Sequence, residues 1–208
     1  MFPNFDIEQQ FEGSVCGIDE VGRGPLAGPV VASAVIIRPH QRNHPIFKTI
    51  NDSKKVSAKK RAVIAEALPE LAYVGLGSAT IEEIDRVNIF QATFIAMQRA
   101  YEDLIASCPD KPVMCLIDGK FSPKLPCDSL PIIKGDQKSL SIAAASIIAK
   151  EHRDTLMKHL AIEHPHYGWE RNAGYGTKQH IEALKSHGIT IHHRKSFKPI
   201  SEVNSTTY

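Results

Sequence analysis

Asp19–Glu20, Asp118 and Asp136 are the residues of this chain whose type and placement could do chemistry. Each acidic site closes a short apolar run. Ser14 to Ile18 leads to Asp19–Glu20, Val113 to Ile117 leads to Asp118, and Leu130 to Ile133 ends near Asp136. In an open α/β sheet, ligands gather at strand ends. If these three strands are neighbours, four carboxylates converge. Carboxylates that close disfavour one another's charged form, so something must neutralise them. A hard divalent cation does so through oxygen ligands. Acids without Cys or His beside them point to Mg²⁺ or Mn²⁺ rather than Zn²⁺. Two such ions about 4 Å apart clamp the attacking and leaving oxygens of a phosphodiester. Taken singly, each Asp also fits a turn former or a helix cap.

The elements that must hold these acids follow from the pattern. Ser14 to Ile18 and Val30 to Ile37 read as strands around the Gly/Pro-rich turn VGRGPLAGP. Ser57 is positioned to cap a helix from Ala58 to Leu68, which Pro69 should end. Tyr73 to Ser78 reads as a strand, and Thr80 with Glu83 has capping-box spacing. From Asn88 to Ser107, Phe90, Phe94, Met97, Tyr101 and Leu104 recur at helical steps, which predicts a core-facing helix. Ser139 to His159 reads as a long helix with an alanine-rich start. Pro165 to Tyr175 reads as a loop, and Thr177 to His187 as a last helix ended by Gly188. Strands alternating with helices predict an α/β domain with a mixed sheet. No repeat or linker demands a second domain, so residues 1–208 read as one. It comprises a core over about 14–160, a helical annex over about 161–199 and a frayed polar tail over 200–208.

Composition narrows the function classes. With 208 residues, 42% apolar and 23% charged, the chain is globular rather than disordered, collagenous or a disulfide scaffold. The four cysteines, at 16, 108, 115 and 127, have no C-x-x-C spacing and read as reduced and mostly buried, as in a cytoplasmic protein. No signal peptide precedes the first motif, and the apolar run from Pro25 to Ile37 is too short for a bilayer. Membrane association is therefore not expected. The formal charge is only +2. Setting the four acids aside leaves a basic remainder, which suits a polyanionic partner.

The motifs are more specific than the pattern. Cys16-Gly17-Ile18-Asp19-Glu20-Val21-Gly22-Arg23-Gly24-Pro25-Leu26-Ala27-Gly28-Pro29-Val30 closely resembles the opening motif of ribonuclease HII. The likeness continues in order through Asp52-Ser53-Lys54-Lys55, Lys60-Arg61, Ile117-Asp118-Gly119 and Lys134-Gly135-Asp136. It then runs through Ser139, Ile142 to Ile147, Lys150, Arg153-Asp154, Asn172 to Thr177, His180, His193-Arg194 and Ser196-Phe197. It spans about residues 14 to 199.

The resemblance implies a ribonuclease H-like fold: a mixed β-sheet flanked by helices, with a C-terminal helical extension. It implies an endoribonuclease acting on the RNA strand of RNA/DNA hybrids and on single ribonucleotides embedded in duplex DNA. The implied cut is 5′ of the ribonucleotide, by two-metal catalysis, leaving 5′-phosphate and 3′-hydroxyl ends. Asp19, Glu20, Asp118 and Asp136 carry over as catalytic metal ligands for Mn²⁺ or Mg²⁺. Gly22, Arg23 and Gly24 carry over as the loop that reads the 2′-hydroxyl, the group that separates RNA from DNA. Tyr175 carries over as the ring that packs on the next sugar. Lys54, Lys55 and Lys178 are candidates for phosphate contacts. A monomer is expected. Ala173, Trp169 and Glu151 depart from the family's usual residues, and at Ala173 a phosphate contact by lysine is lost.

The related ribonuclease HIII carries an extra N-terminal domain and a GKG-type loop. Here about 14 residues precede the first motif, and Arg23 fills the loop. A non-catalytic nucleic-acid-binding module is a further class, against which all four acids stand. Eight of the ten histidines follow residue 150 without metal-ligand spacing, and they read as surface or capping groups near a polyanion. Ser139 and Ser146 have no His–Asp relay, so serine catalysis is not expected.

Overall fold

The apolar, β-branched runs pair into one mixed sheet in the computed structural model, which describes residues 2–204. Strands β1 (Val15–Val21), β2 (Val30–Ile37) and β3 (Ala72–Ala79) form an antiparallel half. Strands β4 (Met114–Asp118) and β5 (Ser129–Ile132) add in parallel beyond β1, giving the order β3-β2-β1-β4-β5. Central strand β1 thus joins the two halves. Its register against β4 pairs Ile18 with Ile117, so Asp19 and Asp118 follow directly at neighbouring strand ends.

Helices cover both faces. Helix α2 (Ile81–Ser107) packs Ala92, Ala96, Met97, Ala100, Tyr101 and Leu104 with Cys16, Ile18 and the even-numbered residues of β2. Helices α1 (Ala58–Leu71) and α3 (Leu140–Glu163) bury the opposite face with Val35 and Ile37. The small residues at the start of α3 serve a close approach. A Cβ on Gly17 of β1 would collide with the backbone of Ser141 and Ile142, so α3 lies directly on the central strand. The N-terminus of α3 is tied down from far away in sequence. The Glu8 carboxylate accepts from Ser139 Oγ (2.6 Å) and from the backbone N–H of Ser141 (2.9 Å). This meets the helix's need for acceptors at its start.

Several boundaries differ from the sequence pattern. Pro69 does not end α1. The helix continues to Leu71 because Leu68 and Leu71 are both buried, and it passes straight into β3. Ser57 precedes α1 without a side-chain cap bond. Thr80 and Glu83 do form the capping box. Helix α2 begins earlier than expected and kinks at Asn88 (φ 69°), whose Oδ1 caps the following turn by accepting from Phe90 and Gln91. Phe90, just after the kink, is exposed rather than in the core. The expected loop over 165–175 contains helix α4 (Trp169–Asn172). Helix α5 (Lys178–His187) follows, and the supposed tail starts as helix α6 (Ile200–Asn204). Ile200 is fully buried with Met157, Trp169 and Leu184, so the tail is not frayed at its start; 205–208 lie outside the described residues. All four cysteines are free, and three are buried. Among the described residues no helix is long and apolar enough to cross a membrane.

Gly17→Ala should cost about 2–3 kcal/mol, because a methyl group there must push against backbone rather than a movable side chain. Urea unfolding measures this. A loss under about 0.5 kcal/mol, the range of neutral surface changes, would contradict the close approach of α3 to β1.

Candidate active site

The end of β1, the end of β4 and the turn after β5 bring the four acids to one cavity of about 440 Å³. Asp19, Glu20, Asp118 and Asp136 all line it, together with Gly22, Arg23, Gly24, Lys54 and Tyr175. Local hydrogen bonds orient the carboxylates. Asp19 Oδ1 accepts from the Glu20 N–H (2.7 Å), and Asp118 Oδ1 accepts from the Gly135 N–H (2.6 Å). Gly135 opens the turn that carries Asp136, so this bond links two of the acids.

The electrostatics are strained. Burial pushes Asp19 well above the usual carboxylate range, and the charges of Glu20, Asp118 and Asp136 push it further. Burial also raises Glu20, against the pull of Arg23, whose Nη1 lies 3.4 Å from Glu20 Oε1. Asp118 is raised by burial, although the Gly135 N–H opposes the shift. Asp136 is raised by burial and then by Asp118 and Asp52. The nearest protein cations do not balance this charge. Lys54 lines the cavity, whereas Lys150 is committed to Asp154 at 2.7 Å.

Buried Arg194 holds the Gly22–Arg23–Gly24 loop from behind, and buried Arg153 holds the segment that follows it. Arg194 donates from Nε to Gly28 O (2.9 Å), from Nη1 to Arg23 O (3.0 Å) and from Nη2 to Gly22 O (2.5 Å). Arg153 donates from Nε to Pro29 O (2.9 Å), from Nη1 to Ala173 O (2.8 Å) and from Nη2 to Ala27 O (3.0 Å). Each guanidinium thus spends its planar fork on three carbonyls. Burial lowers Arg153 to about 10 and Arg194 to about 9, so both stay charged at neutral pH. Gly22 needs its left-handed backbone (φ 91°) here, and a Cβ on it would strike Arg153.

Tyr175 closes the other side, and a Cβ on Gly24 would lie 3.4 Å from Tyr175 Cε1. Its backbone oxygen accepts from His180 Nδ1 (2.9 Å). His180 Nε2 in turn meets Trp169 Nε1 (3.2 Å) and His193 Nε2 (3.0 Å), while His193 Nδ1 accepts from the Thr190 N–H (2.9 Å). His180 and His193 are therefore not surface groups. Both are completely buried, and burial together with His180 drives His193 down to about 3, so it is neutral.

The lysines separate. Lys54 lines the cavity, and its charge lowers both Asp118 and Asp136. Lys55 lies half-exposed, 4.0 Å from Asp52, and its charge reaches Asp136. Lys178 does not reach the cavity. It points to solvent on α5, 3.8 Å from Glu182. Three features were not selected from the sequence. Asp52 is buried close enough to raise Asp136, Ser53 and Lys150 line the cavity, and Phe90, Phe94 and Phe121 form an aromatic wall beside Glu20 and Asp118. Lys150 stood inside a matching motif, but nothing in its spacing showed that its helix faces the acids.

The fold that carries these acids is shared with solved ribonucleases H. The ribonuclease HII of Archaeoglobus fulgidus, solved in complex with PCNA, superposes with a TM-score of 0.69 at 25% identity over 89% of this chain and 95% of that one. Bst-RNase HIII in complex with Mn²⁺ has the same fold, with a TM-score of 0.72 at 21% identity over 95% of this chain and 71% of that one. The fold and the acidic site define a ribonuclease H, a phosphodiester hydrolase. The ribonuclease HII of Paramagnetospirillum magneticum is 52% identical over 200 residues, 96% of this chain and 98% of its own length. Residues 16–200 match the family model for ribonuclease HII, and the chain belongs to that family.

The raised acids set a pH dependence for the metal-free protein. An acid whose pKa is higher when folded binds more protons when folded, so stability is lost as pH rises through the folded value. Asp19→Asn keeps an oxygen for the Glu20 N–H and removes the most strongly raised acid. In chelator the variant should melt higher than the parent at neutral pH, by about 2–4 °C per kcal/mol relieved. The gain should vanish once the pH falls to the unfolded carboxylate range. Equal melting temperatures at neutral pH would contradict the repulsion.

Proposed function

We propose that this ribonuclease H hydrolyses the RNA strand of RNA/DNA hybrids and nicks 5′ of single ribonucleotides embedded in duplex DNA, leaving 5′-phosphate and 3′-hydroxyl ends. One observation carries the reading: a four-carboxylate cavity shares its walls with a glycine loop and an exposed tyrosine. The carboxylates alone suit any phosphodiester. The loop and the ring supply a means of telling one sugar from another.

The donor set fits a divalent ion. Four convergent carboxylates, one buried and three partly buried, repel one another, Arg23 and Lys54 offset only part of their charge, and every donor is a hard oxygen. Asp19, Glu20, Asp118 and Asp136 would hold Mg²⁺ or Mn²⁺. When bound, such ions supply an acidified water and charge stabilisation at the leaving oxygen.

The chain's own residues do the rest. The Gly22–Gly24 backbone has no side chain at either glycine, so a ribose can come close, and buried Arg194 keeps the loop from yielding. The 2′-hydroxyl is the only group there that marks a ribonucleotide. Across the cavity, the flat face of Tyr175 suits a deoxyribose and crowds a 2′-hydroxyl, which selects the junction from RNA to DNA. Lys54 and Lys55 add phosphate contacts without sequence preference. Lys178, outside the cavity, is left to the flanking duplex.

A duplex with one embedded ribonucleotide tests this directly. With Mg²⁺ or Mn²⁺ the protein should cut once, 5′ of the ribonucleotide. Asp118→Asn should lose at least about 100-fold in turnover, about 2.7 kcal/mol, while still binding the duplex. Near-parental cleavage by that variant would sink the metal-ligand assignment. Tyr175→Ala should lose more on the single ribonucleotide than on a long hybrid, and an equal loss on both would remove Tyr175 from junction reading.

A further inference from the structure

The histidines beyond residue 150 fall into distinct environments. His180 and His193 form the buried pair behind Tyr175. His166 and His187 stack on each other at 3.9 Å. His164 and His192 instead meet Glu163, and one possible ligand atom from each of the three lies within 4.8 Å of the others.

Adjacent residues within a helix do not face a common point. Glu163 and His164 can do so because α3 ends between them and His164 leaves helical geometry (φ −130°, ψ 64°). His192 arrives from the loop before Arg194. Its backbone N–H donates to Thr190 Oγ1 (3.1 Å), and its carbonyl accepts from Gly28 N (2.9 Å). The two imidazoles lie 5.2 Å apart, and Trp169 packs edge-on against both, at 5.5 and 6.1 Å. Backbone and indole thus hold the rings in place. Among the described residues, no hydrogen bond from the protein occupies a ring nitrogen of His164 or His192. Two half-buried imidazoles on fixed supports, with free lone pairs and a solvent-facing carboxylate beside them, are poised for an ion.

We propose that Glu163, His164 and His192 form a second metal site, distinct from the four carboxylates, that takes a borderline divalent ion such as Zn²⁺. Two imidazoles and one carboxylate are a known donor set for zinc, with water completing the tetrahedron. The same set disfavours Mg²⁺, which prefers oxygen ligands. The ion would tie the end of α3 to the segment carrying Arg194. That residue holds the carbonyls of Gly22, Arg23 and Gly28. Occupancy would stiffen the glycine loop from behind without touching the acids.

The test uses the full chain without a polyhistidine tag and with Asp19→Asn and Asp118→Asn, which weaken the acidic cavity as a competitor. Zn²⁺ should bind with one equivalent in a chelator competition, and Co²⁺ should give the intense visible absorption of a tetrahedral site. His192→Ala and His164→Ala should each weaken Zn²⁺ binding by more than about tenfold and abolish the tetrahedral Co²⁺ spectrum. His187→Ala, in the separate stacked pair, should leave both unchanged. His192→Gln serves if the alanine variant unfolds, and matched metal-free circular dichroism establishes folding. Failure of the parent chain to bind one Zn²⁺, or undiminished binding by folded His164 and His192 variants, overturns the proposal. Cleavage is not read, so the outcome does not depend on the proposed activity.

Discussion

Like charge at the end of two parallel strands is the constraint around which this molecule is arranged. Pairing Ile18 with Ile117 leaves Asp19 and Asp118 side by side, and the turn after β5 brings Asp136 against them. No choice of rotamer relieves a repulsion that arises from backbone register. The surrounding structure must therefore be rigid enough to hold it. Helix α3 lies against β1 where Gly17 has no side chain, and Glu8 caps its first turn. The backbone N–H groups of Glu20 and Gly135 hold individual carboxylate oxygens. In the metal-free protein these features work against the charges, and a divalent ion would turn the same geometry into an asset.

The opposite sign is treated just as strictly. Arg153 and Arg194 are completely buried, yet among the described residues neither faces a carboxylate in an ion pair. Burying a guanidinium is costly unless its donors are satisfied. Here six carbonyls satisfy them, five of them between Gly22 and Pro29. The result is a loop whose carbonyls are committed inward on fixed partners. Tyr175 stands on a comparable support, since its carbonyl leads through His180 to Trp169 and His193. Acids, loop and ring meet at one cavity, but each is braced by a separate set of buried polar contacts.

How much of this was legible in the sequence depended on distance along the chain. The acids could be found because each follows a short apolar run, and the sheet class because strands alternate with helices. The Thr80–Glu83 capping box is a local signal and formed as spaced. Contacts between remote segments left no such mark. Glu8 sits far from Ser139, and nothing in its neighbourhood shows that it caps α3. The arginines stand in matching motifs, but five of their six target carbonyls lie more than a hundred residues away. Phe90 fits the helical spacing but lies in the first turn after the break at Asn88, where its ring is exposed and meets Phe94 and Phe121 instead of the core. The histidines looked like a single surface population, and only packing separates a buried neutral pair from exposed rings.

In the proposed site the four carboxylates act as one unit whose mutual repulsion a divalent ion relieves. Calorimetric titration of Mg²⁺ in buffers of different ionisation enthalpy, at mildly acidic and at neutral pH, tests it most directly. Mg²⁺ avoids imidazole ligands, so the signal reports the acids. Because burial and mutual repulsion raise these acids in the free protein, binding should release protons at mildly acidic pH. The release should shrink as pH rises, and Asp136→Asn should reduce it. Binding without proton release at mildly acidic pH, or release unchanged by Asp136→Asn, would contradict a coupled carboxylate site.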